Sequence, residues 1–337
     1  MPAFLPSHLY SFTIPSIYDG SQLDCRIYLP KQLVSPNAAS EWRVQGAIVA
    51  HPYAPFGGCY DDPVVNFVGG ELLDAGYIVG TFNFRGAGGS EGRTSWTARP
   101  ELGDYASFYG FLLLYLNILK RRFTSVPGDG KTIESKGIHI VLGGYSYGSL
   151  VAQHLPAVST VTDIFLESTT NTSVPKIFEM AKSVHAWTAE KIPTSSDPSP
   201  GLDASESIQR TKDALQSSAT TISYLLISPV LPPVNFFLTL FSNLSLEVEQ
   251  TTPGRRRQLL CPKPSYQLCV HRSLAIYGDE DTFTSAAKLR KWSGELKSVP
   301  HTRFHSVEIE RAGHFWREDG VELQAREALR AWLCQGS

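Results

Sequence analysis

The stretch Gly144-Tyr145-Ser146-Tyr147-Gly148 constrains this chain more than any other. The apolar run that precedes it, Gly137 to Gly143, reads as a buried strand. The segment that follows, Ser149 to Leu155, reads as a helix. A strand that passes into a helix through G-x-S-x-G is a nucleophile elbow. The glycines answer a crowding problem. The turn is tight enough to strain the serine backbone, and a Cβ two positions to either side would collide with the adjoining strand and helix. The outcome is a serine hydroxyl pushed out at the top of a sheet, above a helix N-terminus that favours developing negative charge. Such a hydroxyl is a poor nucleophile at neutral pH. It needs a base to take its proton and an acid to hold that base, and both must come from elsewhere in the chain.

In chain order, the pattern predicts strands at Tyr10–Ile17 and Leu23–Leu29 around an Asp19-Gly20 turn, and a third at Gln45–Ala50. The third runs into His51-Pro52-Tyr53-Ala54-Pro55-Phe56-Gly57-Gly58, where His51 reads as a loop-bonding residue. A helix is expected over Pro63–Ala75 with Gly76 as its cap, then a strand over Tyr77–Phe84. The segment Arg85 to Gly92 is glycine-rich but lacks the spacing of a phosphate loop, so a tight turn beside the site is the better reading. A helix over Glu101–Arg122 is apolar nearly all round, as suits a helix covered on both sides. Strands are expected at Ile222–Pro229, Ser273–Tyr277 and Phe304–Ile309, with Val161–Glu167 a weaker candidate for the first of these positions. Helices are expected at Lys288–Leu296 and Val321–Cys334. From 169 to 221 the composition turns to Ser, Thr and Pro, which marks an insertion, either a lid or a flexible loop. The apolar residues Phe236, Phe237, Leu238 and Phe241 suit either a substrate pocket or ordinary core.

Two late strands end in chemistry-bearing residues. After Ser273–Tyr277 come Asp279, Glu280 and Asp281, and the pattern G-x-x-D with an apolar residue two places on, here Phe283, selects Asp281 over Asp279. After Phe304–Ile309 comes Ala312-Gly313-His314, on the loop facing the elbow, whereas His301 and His305 flank the other end of that strand. The order Ser146, Asp281, His314 is the order of one particular solution to the triad problem.

With these motifs in place, the chain resembles the α/β-hydrolase superfamily over nearly its whole length, the stretch 169–221 excepted. Its His51-Pro52…Gly57-Gly58, Asn83 to Gly92 and Ala312 to Trp316 segments are similar to a branch of predicted microbial, especially fungal, serine hydrolases. The resemblance implies an α/β fold with a mostly parallel central sheet flanked by helices. The core would form in two parts, 1–168 and 222–337, around a lid-like or partly disordered insertion at 169–221. It also implies an oxyanion hole made by the backbone N–H of Tyr147 and of Tyr53, with Ala54 as the alternative to the latter. Hydrolysis of an ester, thioester or related acyl bond of a small-molecule substrate, without a cofactor or metal, is the expected activity. Acyl transfer by the same residues, or binding without catalysis, are the rival readings. The chain has no His-Gly-Gly-Gly segment, and its nucleophile is serine rather than aspartate or cysteine, which disfavours the esterase, dehalogenase and dienelactone types that use those features.

Composition excludes other classes. A net charge of −2, with basic residues dispersed apart from Arg255-Arg256-Arg257, predicts no nucleic-acid partner. The longest apolar run, Phe111 to Leu119, is too short for a membrane span. Five cysteines at irregular spacing fit a reducing compartment better than a disulfide framework, and the N-terminal residues have no basic and apolar leader pattern, so a cytoplasmic location is expected.

Overall fold

Both faces of the central strands are apolar, and the architecture follows from that. Ile138, Ile140 and Leu142 of strand β5 (Ile138–Tyr145) join one core cluster, whereas Val141 and Tyr145 join another on the opposite face. The same alternation runs through β3 (Gln45–Ala50) and β6 (Thr220–Ile227). A sheet buried on both faces needs helices on both. The computed structural model describes residues 4–34, 42–121, 137–167, 171–192, 212–213, 215–216, 218–234, 244–250, 252 and 255–335.

The remaining strands of the main sheet are β1 (Tyr10–Pro15), β2 (Gln22–Tyr28), β4 (Ile78–Phe82), β9 (Arg272–Gly278) and β10 (Phe304–Ile309). The eight lie in the order β1-β2-β4-β3-β5-β6-β9-β10. The β1–β2 and β2–β4 pairs are antiparallel and every later pair is parallel. Besides a single turn, α1 (Lys31–Val34), one face carries α2 (Pro63–Asp74) and the C-terminal helix, which is α9 (Val321–Cys334). The other face carries α3 (Arg99–Lys120), the short α4 (Tyr147–Ala152), α5 (Val158–Leu166) and α6 (Ser173–Lys191). Two further helices, α7 (Pro264–Val270) and α8 (Ala286–Lys297), pack beside β9 and β10.

Helix α3 lies between the sheet and α6, which explains why it is apolar nearly all round. It is the one helix among the described residues long and apolar enough to cross a membrane, and 94% of its apolar window is buried inside the protein. The glycine-rich turn after β4 is held by Arg85, whose guanidinium bridges Asp104 at 2.7 Å and Asp19 at 2.8 Å.

Three elements differ from the sequence reading. Residues Val161–Glu167 fall mainly in α5 rather than in a strand, because Val161, Ile164 and Phe165 recur at helical spacing and bury one face. The residues around Arg255-Arg256-Arg257 form a small separate hairpin of β7 (Leu246–Glu249) and β8 (Arg256–Leu259), with Arg256 stacked on the Tyr18 ring at 3.8 Å. Cys269 lies in α7, a helix for which the sequence reading had no counterpart. Within the stretch 169–221, α6 buries Val174, Ile177, Phe178, Ala181 and Val184, and β6 begins at Thr220. Residues 193–211 and the apolar residues Phe236, Phe237, Leu238 and Phe241 lie outside the described residues. All five cysteines are free.

Candidate active site

Because β3, β4, β5, β6, β9 and β10 run parallel, the loops that leave their C-terminal ends share one edge of the sheet. That edge is where ligands bind in open α/β sheets. At the end of β5, Ser146 sits at φ 54° and ψ −113°. A non-glycine residue in such a region costs about 1–3 kcal/mol and persists only where the surroundings enforce it. They do so here. A Cβ on Gly144 would lie 2.3 Å from the Gly148 carbonyl carbon, and one on Gly148 would lie 2.4 Å from the Ala50 oxygen. The Ser146 N–H donates to the Ile227 carbonyl at 2.8 Å, which ties the turn to β6.

Asp281 and His314 are brought to this serine by the loops after β9 and β10. Those loops are sewn together: the Asp279 N–H donates to Ile309 O at 3.1 Å, the Glu280 N–H to Ala312 O at 3.0 Å, and the Arg311 N–H to Asp279 Oδ1 at 2.6 Å. Asp279 thus clasps the histidine loop, and its neighbour Asp281 faces the ring. Asp281 Oδ2 lies 2.7 Å from His314 Nδ1, and His314 Nε2 lies 2.8 Å from Ser146 Oγ. Asp281 Oδ1 accepts the N–H groups of Phe283 and Thr284 at 2.8 and 2.9 Å, which fixes the carboxylate plane. An ionised carboxylate only accepts, so Nδ1 carries the imidazole proton and Nε2 is left to accept from the serine hydroxyl. All three side chains are buried.

The structure also shows supports that the sequence reading missed. The Tyr145 hydroxyl donates to the His314 carbonyl at 2.8 Å. Burial raises the Tyr145 pKa, so this donor keeps its proton. The Phe283 ring lies 4.3 Å from the imidazole, centroid to centroid. Trp316, at φ 56°, donates from Nε1 to Ser228 Oγ at 3.0 Å and anchors the histidine loop to the end of β6. Phe283 was visible in the sequence as a spacing marker; Tyr145 had only its place inside the pentapeptide to single it out.

At the end of β3, His51 is fully buried with both nitrogens engaged. Nε2 accepts the Phe84 N–H at 2.9 Å and Nδ1 donates to Pro52 O at 2.6 Å. Burial lowers its pKa to about 4. His51 is therefore a neutral strut that joins the ends of β3 and β4 and fixes the loop bearing Tyr53. Tyr53 stacks edge-on against Tyr147 at 5.2 Å and precedes a 3-10 turn over Ala54–Phe56. Among the described residues, neither the Tyr53 nor the Tyr147 backbone N–H donates to a protein acceptor.

A cavity of about 210 Å³ opens beside Ser146 and His314. Its lining includes Pro52, Tyr53, Phe56 and Gly57 from the loop after β3, and Val230, Phe283, Phe315 and Arg317 from the loops after β6, β9 and β10. Asp62 reaches it from the start of α2, where its carboxylate caps the helix by accepting the Val64 N–H at 2.8 Å. No group of three or more His, Cys, Asp or Glu side chains among the described residues has the arrangement of a metal site.

A doubly wound sheet with a strained serine at a strand-to-helix turn, and a histidine and an aspartate on later strand ends, defines a class of α/β proteins. The alpha/beta hydrolase family model matches residues 47–327, and the chain belongs to that family. Among solved structures, the chain is similar to an α/β serine hydrolase of Xanthomonas campestris described as lacking a lid, with 17% identity, a TM-score of 0.51, and 100% and 98% of the two chains covered. An α/β serine hydrolase homologue from Coxiella burnetii gives 16% identity and a TM-score of 0.50, over 97% of this chain and 98% of the other. A search of curated proteins finds no significant sequence match.

Proposed function

We propose that the chain is a serine hydrolase that cleaves an ester, thioester or related acyl bond through an acyl-enzyme. The observation that carries this reading is the unbroken line from Asp281 through His314 to Ser146, with contacts of 2.7 and 2.8 Å. Ser146 Oγ attacks the acyl carbonyl as its proton passes to His314 Nε2. Asp281 holds the imidazole in the required tautomer and stabilises the imidazolium. The N–H groups of Tyr53 and Tyr147 receive the oxyanion that forms on the carbonyl oxygen. His314 then returns the proton to the leaving group. Water, activated by the same histidine, attacks the acyl carbon, and Ser146 leaves with its proton restored.

The cavity supports a small acyl substrate. Its volume of about 210 Å³ lies directly against Ser146 and His314. Five free cysteines are in keeping with work in a reducing compartment such as the cytoplasm.

The deciding experiment is labelling of purified protein with a fluorophosphonate, read by intact mass and peptide mapping. A single adduct on Ser146 is expected, absent in Ser146→Ala and lost in His314→Ala. Well-folded protein that takes no adduct would overturn the reading. A series of p-nitrophenyl esters should then favour short acyl groups over a palmitoyl group.

A further inference from the structure

Two opposite charges line the cavity without neutralising one another. Asp62 is largely buried, and its carboxylate is engaged by the first turn of α2 through the backbone N–H groups of Val64 and Val65. Burial raises its pKa, and the backbone donors and the positive charge of Arg317 oppose that rise. Arg317 is exposed and lines the same cavity three residues after His314. Its guanidinium rests 5.3 Å from the centre of the Phe315 ring. Among the described residues, no carboxylate oxygen lies within ion-pair distance of it. The nearby Glu318 is engaged elsewhere, accepting the Gly313 N–H at 3.1 Å.

The backbone beneath Arg317 is fixed although its head is free. Trp316 is pinned to Ser228, and Glu318 closes the turn back onto Gly313. A guanidinium presents five donors in a planar fork that matches a carboxylate. Held at the wall of a reaction cavity with no acid of its own, it is placed to take one from the substrate. The arginines with structural duties in this protein look different. Arg85 and Arg326 are buried and bound to acids at 2.7 Å.

We propose that Arg317 selects acyl substrates that carry a carboxylate, and that Asp62 limits that preference by opposing negative charge in the same cavity. This inference rests on the serine-hydrolase reading above. Asp62 is held at the helix cap by the N–H groups of Val64 and Val65, so it acts through its field and not as a partner for the substrate. Arg317 is a specificity residue and takes no part in proton transfer. In a partly exposed site the paired carboxylate contributes less than a buried one would, and screening by salt weakens it further.

The test compares kcat/KM for matched pairs of esters. One pair is 4-acetoxybenzoate and its methyl ester, which places the charge on the leaving group. The other is a monoaryl glutarate and the corresponding methyl-capped diester, which places it on the acyl group. Arg317→Gln should lower the anionic-to-neutral ratio about twofold to fivefold in at least one pair. Arg317→Lys, which keeps the charge but loses the planar fork, should retain only part of the ratio. Asp62→Asn, which keeps a good helix cap, should raise the ratio, and added salt should lower the wild-type ratio but not that of Arg317→Gln, where only the opposing field of Asp62 is left to screen. Ratios unchanged in Arg317→Gln for both pairs, on protein whose Ser146 still takes the fluorophosphonate, would overturn the proposal. Loss of the Ser146 adduct in the wild type would instead overturn the serine-hydrolase reading beneath it.

Discussion

Replacing Gly278 by alanine should disable the site without touching any of its three reactive side chains. Gly278 ends β9, immediately before the loop that carries Asp281. An added Cβ would lie 1.9 Å from the Ala312 carbonyl oxygen, the same oxygen that accepts the Glu280 N–H. Real Cβ atoms essentially never approach closer than 3.0 Å, so one backbone must yield by about 1.1 Å. Both backbones belong to the site: one leads to Asp281 and the other, two residues on, to His314. A displacement of about 1 Å in a catalytic group can lower the rate about 10²-fold. Overpacking of this kind costs about 1–3 kcal/mol of stability. The assays are kcat/KM on a short p-nitrophenyl ester, the rate of fluorophosphonate labelling, and the urea midpoint. Gly294→Ala is the control, because a Cβ there meets nothing within 4 Å and the residue lies inside α8. That change should stabilise by about 0.5–1 kcal/mol and leave the rate alone. Gly278→Ala with a wild-type kcat/KM would refute the argument that this contact sets the distance between the aspartate and histidine loops.

Asp281→Asn should lower kcat by roughly 10³–10⁴-fold, since the amide cannot hold the imidazole in the same tautomer, whereas Asp279→Asn, which still offers an acceptor to the Arg311 N–H, should stay within about threefold; a steady-state assay on both variants ranks them, and a reversed order would move the acid to Asp279. Tyr145→Phe should cost about 1–3 kcal/mol in urea unfolding, because the buried His314 carbonyl loses its donor. His51 should make the protein acid-sensitive. Its folded pKa of about 4 lies below the usual 6.5. As pH falls through 6.5, the unfolded chain takes up a proton there that the folded chain refuses. Stability attributable to this group is therefore fully present above 6.5 and declines towards pH 4, by up to about 3 kcal/mol. Urea midpoints measured across that window should fall, and the fall should be smaller in His51→Gln; an equal fall in both would show that the buried imidazole is not its source.

The elbow could be read from the sequence because its requirements are local. A strand, a turn that excludes a Cβ on both sides, and a helix fit within a few turns of chain, and glycine is the residue that satisfies the turn. The strand-end positions of Asp281 and His314 were legible for a related reason. Parallel strands place their C-terminal loops on one edge, so a polar residue just past a short apolar run is a candidate. The identity of α5 was harder to see, since a short apolar run such as Val161–Glu167 can satisfy either periodicity until its neighbours are known. Helix burial of Val161, Ile164 and Phe165 against α3 decided it. The β7–β8 hairpin gave no warning, because its strands are four residues each and two of the four residues of β8 are charged.

What the sequence determined by itself were the features written over a few consecutive residues: the strained serine, the apolar alternation of the central strands and the all-round apolar α3. What only the tertiary structure decided were the distances. Ser146 and His314 are 168 positions apart, and no local rule brings Nε2 to within 2.8 Å of Oγ. That approach depends on the sheet order, the backbone contact at Gly278, the bonds between the β9 and β10 loops, and the hydroxyl of Tyr145. The supports are scattered because a contact between distant segments is fixed by packing, and packing depends on shape in three dimensions, not on neighbours in the chain. For the same reason nothing in the sequence pairs Arg317 with Asp62, and only the fold brings both into the lining of one cavity.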